Sequence, residues 1–309
     1  MWQGVGVSSP PELAVQAEGA APERIPPDSV VRDVARRASG GVVVCGAALI
    51  FGYWLFVQTR TGQQIDDLAY DGRLALGNRF ERLDDALLDE ISIAVVAVAA
   101  LVLVAAGVVR GCRWRGLLAA AAFGGAIVAA ELLKHVLVRP VLYADPGVAS
   151  HTLGLETYPS GHTTISTSFV LAVLLVCPSR ARPWLAVIAG AISASYATGV
   201  LFAGWHRPSD ALGGLALSGA ALGCAAALVA WIERQQPWCV AAGSTSFRRQ
   251  ILAAFALFIV MVGVASAVAA RNIDSFPDYD LQFLIMVPLI VIGSFAVTLW
   301  YGWVIRQLR

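Results

Sequence analysis

Eight apolar stretches, each close to the length that crosses a bilayer, constrain this chain more than any other feature. They run over about 40–59, 91–109, 116–138, 163–178, 183–202, 209–232, 250–270 and 282–304. A hydrocarbon core about 30 Å thick takes roughly 20 apolar residues as a helix. In lipid every backbone polar group must find its partner within the protein, which favours helices over open strands. Composition agrees: 58% of residues are hydrophobic and 14% charged, against about 25% charged in soluble domains. The expected fold class is all-α, a polytopic membrane helix bundle. The stretch 163–178 is the shortest and opens with Thr and Ser, so part of it should line a protein interior.

Arginine placement orients the bundle. Arg32, Arg36 and Arg37 precede the first stretch, and Arg110, Arg113 and Arg115 lie between the second and third. Arg180 and Arg182, then Arg234, Arg248 and Arg249, then Arg306 and Arg309 fall on the same side of an alternating topology. That side is expected to be the cytoplasm, with both termini there. The opposite loops differ: 60–90 mixes four Arg with eight Asp and Glu, and 271–281 holds Asp274, Asp278 and Asp280 against Arg271. Loop 60–90 has helical apolar spacing at Leu68, Leu74, Leu76, Phe80, Leu83, Leu87 and Leu88. This fits an amphipathic helix on the outer leaflet or an ordinary ordered loop, and the loop is the expectation. Residues 1–38 carry Pro, Ala, Gly and charge without an early apolar core, which is no cleavable signal and reads as a disordered tail. The net charge of +1 gives no electrostatic case for nucleic acid. The five Cys have neither metal-ligand nor redox spacing.

The chemistry gathers on the acidic side. All four His (His135, His151, His162 and His206) fall at or near it, and polar groups at membrane depth tend to mark function. Three segments supply candidates. Lys134, the single lysine against 21 arginines, and Arg139 close the third stretch; two fixed cations suit a phosphate, although snorkelling to headgroup level explains such cations equally. Tyr158-Pro159-Ser160-Gly161-His162 opens the fourth stretch. There Gly161 admits close backbone approach, Ser160 offers a hydroxyl, the helix start aims N–H groups at an anion, and His162 is a candidate general acid. His206-Arg207-Pro208-Ser209-Asp210 opens the sixth. His206 and Asp210 are four apart, so the carboxylate can fix the imidazole tautomer and leave the other nitrogen to attack. Asp210 also suits a helix cap after Pro208.

These segments resemble the type 2 phosphatidic acid phosphatase (PAP2) superfamily of membrane phosphatases, related in fold to vanadium haloperoxidases. Pro159-Ser160-Gly161-His162 and the His206-x-x-x-Asp210 pattern match, as does their order along the spans. The resemblance covers roughly 40–232 and implies a six-helix PAP2-like core with two additional C-terminal transmembrane helices. The expected division is a tail over 1–38, the core over 39–232, and a cytoplasmic loop with two extra helices over 233–309. The chain departs from the family pattern at three places: Val141 stands at a usual Arg, and Gly199 and Val200 stand where the family has Ser-Arg. Arg207 is the candidate to compensate.

The resemblance implies an enzyme of the plasma (inner) membrane acting on a lipid phosphate at its outer face. His206 is the expected nucleophile, oriented by Asp210, with His162 as acid. Lys134, Arg139, Ser160, Gly161 and Arg207 are the expected phosphate ligands. Polyprenyl diphosphates and phosphatidate are plausible substrates. No Asp/Glu cluster for Mg²⁺ appears near the three segments, so no metal or other cofactor is expected. Membrane lipids are the expected surroundings, nucleic acid is not an expected partner, and the sequence leaves the oligomeric state open. The alternative function is a catalytically weak or inactive lipid-phosphate binder or transporter.

Overall fold

The computed structural model describes residues 27–74, 92–142, 153–234 and 281–308. Within them the secondary structure is helical: α1 (Pro27–Gly52), α2 (Arg60–Asp71), α3 (Ile93–Val109), α4 (Arg113–Val136), α5 (Gly161–Val176), α6 (Arg182–Phe202), α7 (Pro208–Glu233) and α8 (Leu281–Val304). Five helical stretches are long and apolar enough to cross a membrane: Asp28–Val57, Arg113–Val136, Arg182–Phe202, Pro208–Glu233 and Leu281–Gln307. The shorter α3 and α5 are also apolar. The chain is therefore a polytopic helical membrane bundle. The expected spans fall on these helices, but α1 begins at Pro27 rather than near 40, so that residues 27–38 of the expected disordered tail are helical; the span 250–270 lies outside the described residues together with His151 and Cys239.

α7 runs through the middle, packed on α1, α4, α5, α6 and α8. Its sequence explains the position. Without a hydrophobic force between helices in lipid, close packing rests on small residues, and α7 carries glycines where neighbours approach. A methyl group on Gly219 would lie 2.7 Å from Cys45 Sγ on α1, and one on Gly213 would lie 2.8 Å from the Tyr158 ring. α8 packs against α6, with Phe295 lying over Gly190, and against α1, with Trp300 lying over Gly41.

One end of the bundle is fastened by buried cations. Arg115 at the start of α4 makes a bidentate pair with Glu233 at the end of α7, at 2.7 and 2.6 Å. Arg182, at the start of α6, donates to the carbonyls of Ile305 (2.7 Å) and Leu308, and so satisfies the otherwise orphaned acceptors of the last helix. Arg37 of α1 bonds Gln307 at 3.1 Å and lies over the Trp303 ring. The starts of α1, α4 and α6 thus share an end with the finishes of α7 and α8, as strict alternation requires.

The opposite end differs from the expectation of an ordinary loop. After a π-helical segment, Tyr53–Val57, the chain turns at Thr59, whose hydroxyl accepts from Gly62 N, and enters α2. This helix is amphipathic with its polar face inward. Gln63, Asp66, Asp67 and Tyr70 are buried, whereas Ile65 and Leu68 are exposed. In a membrane setting that inversion has a plain cause: apolar side chains can face lipid, while carboxylates must find cations inside the bundle. Residues 75–91, which hold the rest of that loop, lie outside the described residues.

Candidate active site

The site is built where α5 and α7 begin. Ser160 N donates to Asp210 O at 2.8 Å, tying the two helix starts together. Gly214 permits the approach: a methyl group there would lie 2.8 Å from Ser160 O and 2.9 Å from Thr163 Cβ. Ser160 also caps α5, its hydroxyl accepting from Thr163 N at 3.4 Å, and it is fully buried. The Tyr158–Pro159 peptide bond before it is cis, and Tyr158 is anchored by its hydroxyl on Leu49 O at 2.6 Å. Lys134, in the last turn of α4, reaches this helix start. A methyl group on Gly161 would lie 3.2 Å from Lys134 Nζ and 3.1 Å from Glu131 Oε1, and these two side chains pair at 2.7 Å. An ammonium group beside a helix start is an anion-binding arrangement.

α7 is entered through a tight turn. Gly204 adopts φ +75°, which glycine takes without steric cost. Trp205 N and His206 N both donate to Val200 O, at 2.9 and 3.0 Å, and Tyr70 OH donates to Gly204 O at 2.8 Å. This turn sets His206 beside the start of α5. The His206 and His162 rings stand 6.2 Å apart, centroid to centroid, with the Trp205 ring 5.0 Å from His162. Behind His206, the fully buried Asp210 faces Nδ1 across 3.5 Å, and the same carboxylate oxygen accepts from Arg207 N at 3.0 Å. One aspartate therefore caps the helix and faces the imidazole. The 3.5 Å separation exceeds an ordinary hydrogen bond, as often found in catalytic pairs before substrate tightens them.

α2 brings two further residues that the sequence reading did not single out. Asp66 accepts three bonds: from Ser209 N at 2.9 Å, Ser209 Oγ at 2.6 Å and Arg139 Nη2 at 2.6 Å. Asp67 accepts from Arg207 Nε at 2.6 Å. Burial pushes the Asp66 carboxyl above the usual carboxylate range; the Arg139 guanidinium pulls it down, and the Asp210 charge pushes it up again. Burial also works against the Arg139 charge, but Asp66 and Asp210 outweigh it and raise that group above its ordinary value.

The expected site residues therefore divide. His206, His162, Asp210, Ser160, Gly161 and Lys134 converge on the paired helix starts. Arg139 and Arg207 lie in the same end of the bundle but are buried, each against a carboxylate of α2. His135 stands apart, exposed and paired with Glu156 at 3.1 Å. A signal for α2 existed: Gln63, Asp66, Asp67 and Tyr70 are spaced three, one and three apart, one stripe of a helix opposite Ile65 and Leu68.

The fold and site define a multi-pass helical membrane protein whose polar chemistry sits at one end of the bundle, between two helix starts and two histidines. Residues 113–237 match the family model of the PAP2 superfamily, a family of membrane phosphatases in general, and this match supports membership of that superfamily. The matched segment runs from α4 just past α7 and does not include α2. None of the curated proteins and none of the solved structures compared with the chain matches it.

Proposed function

We propose that the protein hydrolyses a lipid phosphate or diphosphate, such as a polyprenyl diphosphate or phosphatidate, at the outer leaflet of the plasma membrane. The observation that carries this reading is the facing pair of imidazoles, with Asp210 behind His206 and Lys134 at the α5 helix start. His206 Nε2 attacks phosphorus while Asp210 holds Nδ1–H and stabilises the imidazolium. The lipid oxygen leaves with a proton from His162. Water then attacks the phosphohistidine, His162 accepts its proton, and inorganic phosphate departs. Lys134 and the amide group of Gly161 at the α5 start stabilise the equatorial oxygens; Arg139 and Arg207 add positive charge from behind. The Arg-rich end of the bundle, by the positive-inside rule, supports cytoplasmic termini and an outward-facing site.

A second reading has one specific observation in its favour. The two guanidinium groups already hold carboxylates, so the site presents less positive field than two unpaired arginines would. A lipid-phosphate binder with feeble turnover would tolerate that. The discriminating experiment is phosphate release by purified protein from both lipids in EDTA, beside His206→Ala. Release that survives EDTA and disappears in the variant supports the enzyme. Binding without release from either lipid sinks it and leaves the binder.

A further inference from the structure

The acidic face of α2 has no part in the reaction as just described, yet Asp66 bonds both Arg139 and the first turn of α7. We infer that Asp66 is a positioning residue of this site: it holds the Arg139 guanidinium away from Asp210 and fixes the first turn of α7, leaving the Asp210 carboxylate to direct His206. The inference rests on the reading of His206 as nucleophile.

The geometry gives the reason. Arg139 Nη2 lies between two fully buried carboxylates, 2.6 Å from Asp66 Oδ2 and 3.9 Å from Asp210 Oδ1. At such depth the attraction between opposite charges is strong and weakly screened. Without the Asp66 charge, Arg139 has one carboxylate left to approach, and it is the one that faces His206. A guanidinium drawn onto Asp210 would stabilise that carboxylate at the expense of the imidazolium formed when His206 attacks. The groups around His206 are Asp210 and Arg207 from its own segment, His162 of α5, and Arg139 with Asp66 behind it.

Asp66 also serves α7 directly. The N–H groups of a helix's first turn lack intrahelical acceptors, and a negative charge is favourable there. Ser209 N finds its acceptor on Asp66, a residue of another helix, and the Ser209 hydroxyl donates to the same carboxylate. The first turn of α7 carries Asp210 and follows His206 directly, so a carboxylate that holds Ser209 also holds the pair. Asp67 is a contrast: its carboxylate accepts from Arg207 Nε at 2.6 Å.

The test uses the purified full chain with Asp66→Asn, which keeps the side-chain size and an acceptor for Ser209 but removes the charge. Turnover of a lipid phosphate, rapid-quench formation of phosphohistidine and melting in detergent are measured beside wild type and His206→Ala. The expected result is a drop in kcat and in the phosphohistidine rate of about tenfold or more, with KM within about twofold and melting little changed. A merely structural residue would move melting and KM along with kcat. Wild-type kcat in the variant, or a loss confined to KM, overturns the inference. Should the variant fail to fold, Ser209→Ala takes its place: it removes one bond to the same carboxylate and the hydroxyl that accepts from Arg139 Nη2 at 3.1 Å, and should lower kcat about threefold at unchanged KM, and unchanged kcat there is equally fatal. A wild type that releases no phosphate removes the underlying reading instead, which the parallel measurement separates from failure of the Asp66 role alone.

Discussion

Gly214→Ala puts the seam between α5 and α7 to a quantitative test. The added methyl would sit 2.8 Å from Ser160 O, 2.9 Å from Thr163 Cβ and 3.1 Å from Thr164 Oγ1. The first of these is backbone and cannot turn aside. Ordinary contact begins at 3.4 Å, so the two helix starts must part by about 0.6 Å. The Ser160 N to Asp210 O bond, now 2.8 Å, spans the same seam and would lengthen with it. Overpacking of this kind costs about 1–3 kcal/mol. The functional cost should be larger, because His162 and Lys134 lie on the α5 side and His206 and Asp210 on the α7 side. Misplacement by about 1 Å can cost a hundredfold in rate, so a fall in kcat on the order of tenfold to a hundredfold is expected. Single-turnover phosphate release reads the rate, and thermal unfolding in detergent reads the packing. Gly124→Ala on α4 is the control, since nothing lies within 4 Å of its added methyl; it should be neutral or stabilising by about 0.5–1 kcal/mol. A Gly214→Ala protein with kcat within twofold of wild type would refute the claim that this seam sets the site.

Three further outcomes follow. Glu233→Gln leaves Arg115 buried without its charge partner and should cost about 3–5 kcal/mol in detergent unfolding, whereas Arg115→Met with Glu233→Leu should be close to neutral; equal losses in both would contradict the pairing. Gly204→Ala forces a methyl into a left-handed turn 2.9 Å from Arg73 Nε, so melting should fall by the equivalent of about 1–2 kcal/mol or more. Asp66 titrates above the usual carboxylate range because it is buried, which fixes two signs. A raised carboxyl contributes stability that is present below its unfolded value and lost as pH rises through the folded one, so wild type should gain melting temperature relative to Asp66→Asn on acidification. Turnover, which needs Asp66 ionised, should fall over that same acidic interval in wild type, and a flat difference in melting between the two proteins across pH would contradict both signs.

The helices were legible because lipid makes the hydrophobic signal long and the alternatives few. The described helices other than α2 fall on the stretches that apolar length marked, and the paired starts of α5 and α7 carry the motifs that pointed to phosphate chemistry. Two kinds of information were not legible. Counting Arg by loop reads a charge's side of the membrane but not its partner, so Arg115 and Arg182 looked like interfacial cations and are buried fasteners of helix ends. The loop between the first two spans was judged by its apolar residues, as for a soluble helix. In this bundle the polar stripe Gln63, Asp66, Asp67 and Tyr70 carries the meaning, because the carboxylates go inward. Arg139 and Arg207 could not be paired with Asp66 and Asp67 from the sequence alone, since nothing local joins residues so far apart in the chain.

That separation bears on how the protein comes to be made. Asp66 meets Arg139 and Ser209, 73 and 143 residues further along the chain. While the polypeptide emerges from the ribosome, α2 is finished long before either partner exists. Its acidic stripe cannot be stored in hydrocarbon during that interval and must wait in water or among headgroups. Docking of α2 is therefore a late event of biogenesis, after α7 has entered the membrane, and this end of the bundle matures only when α2 folds back onto α7.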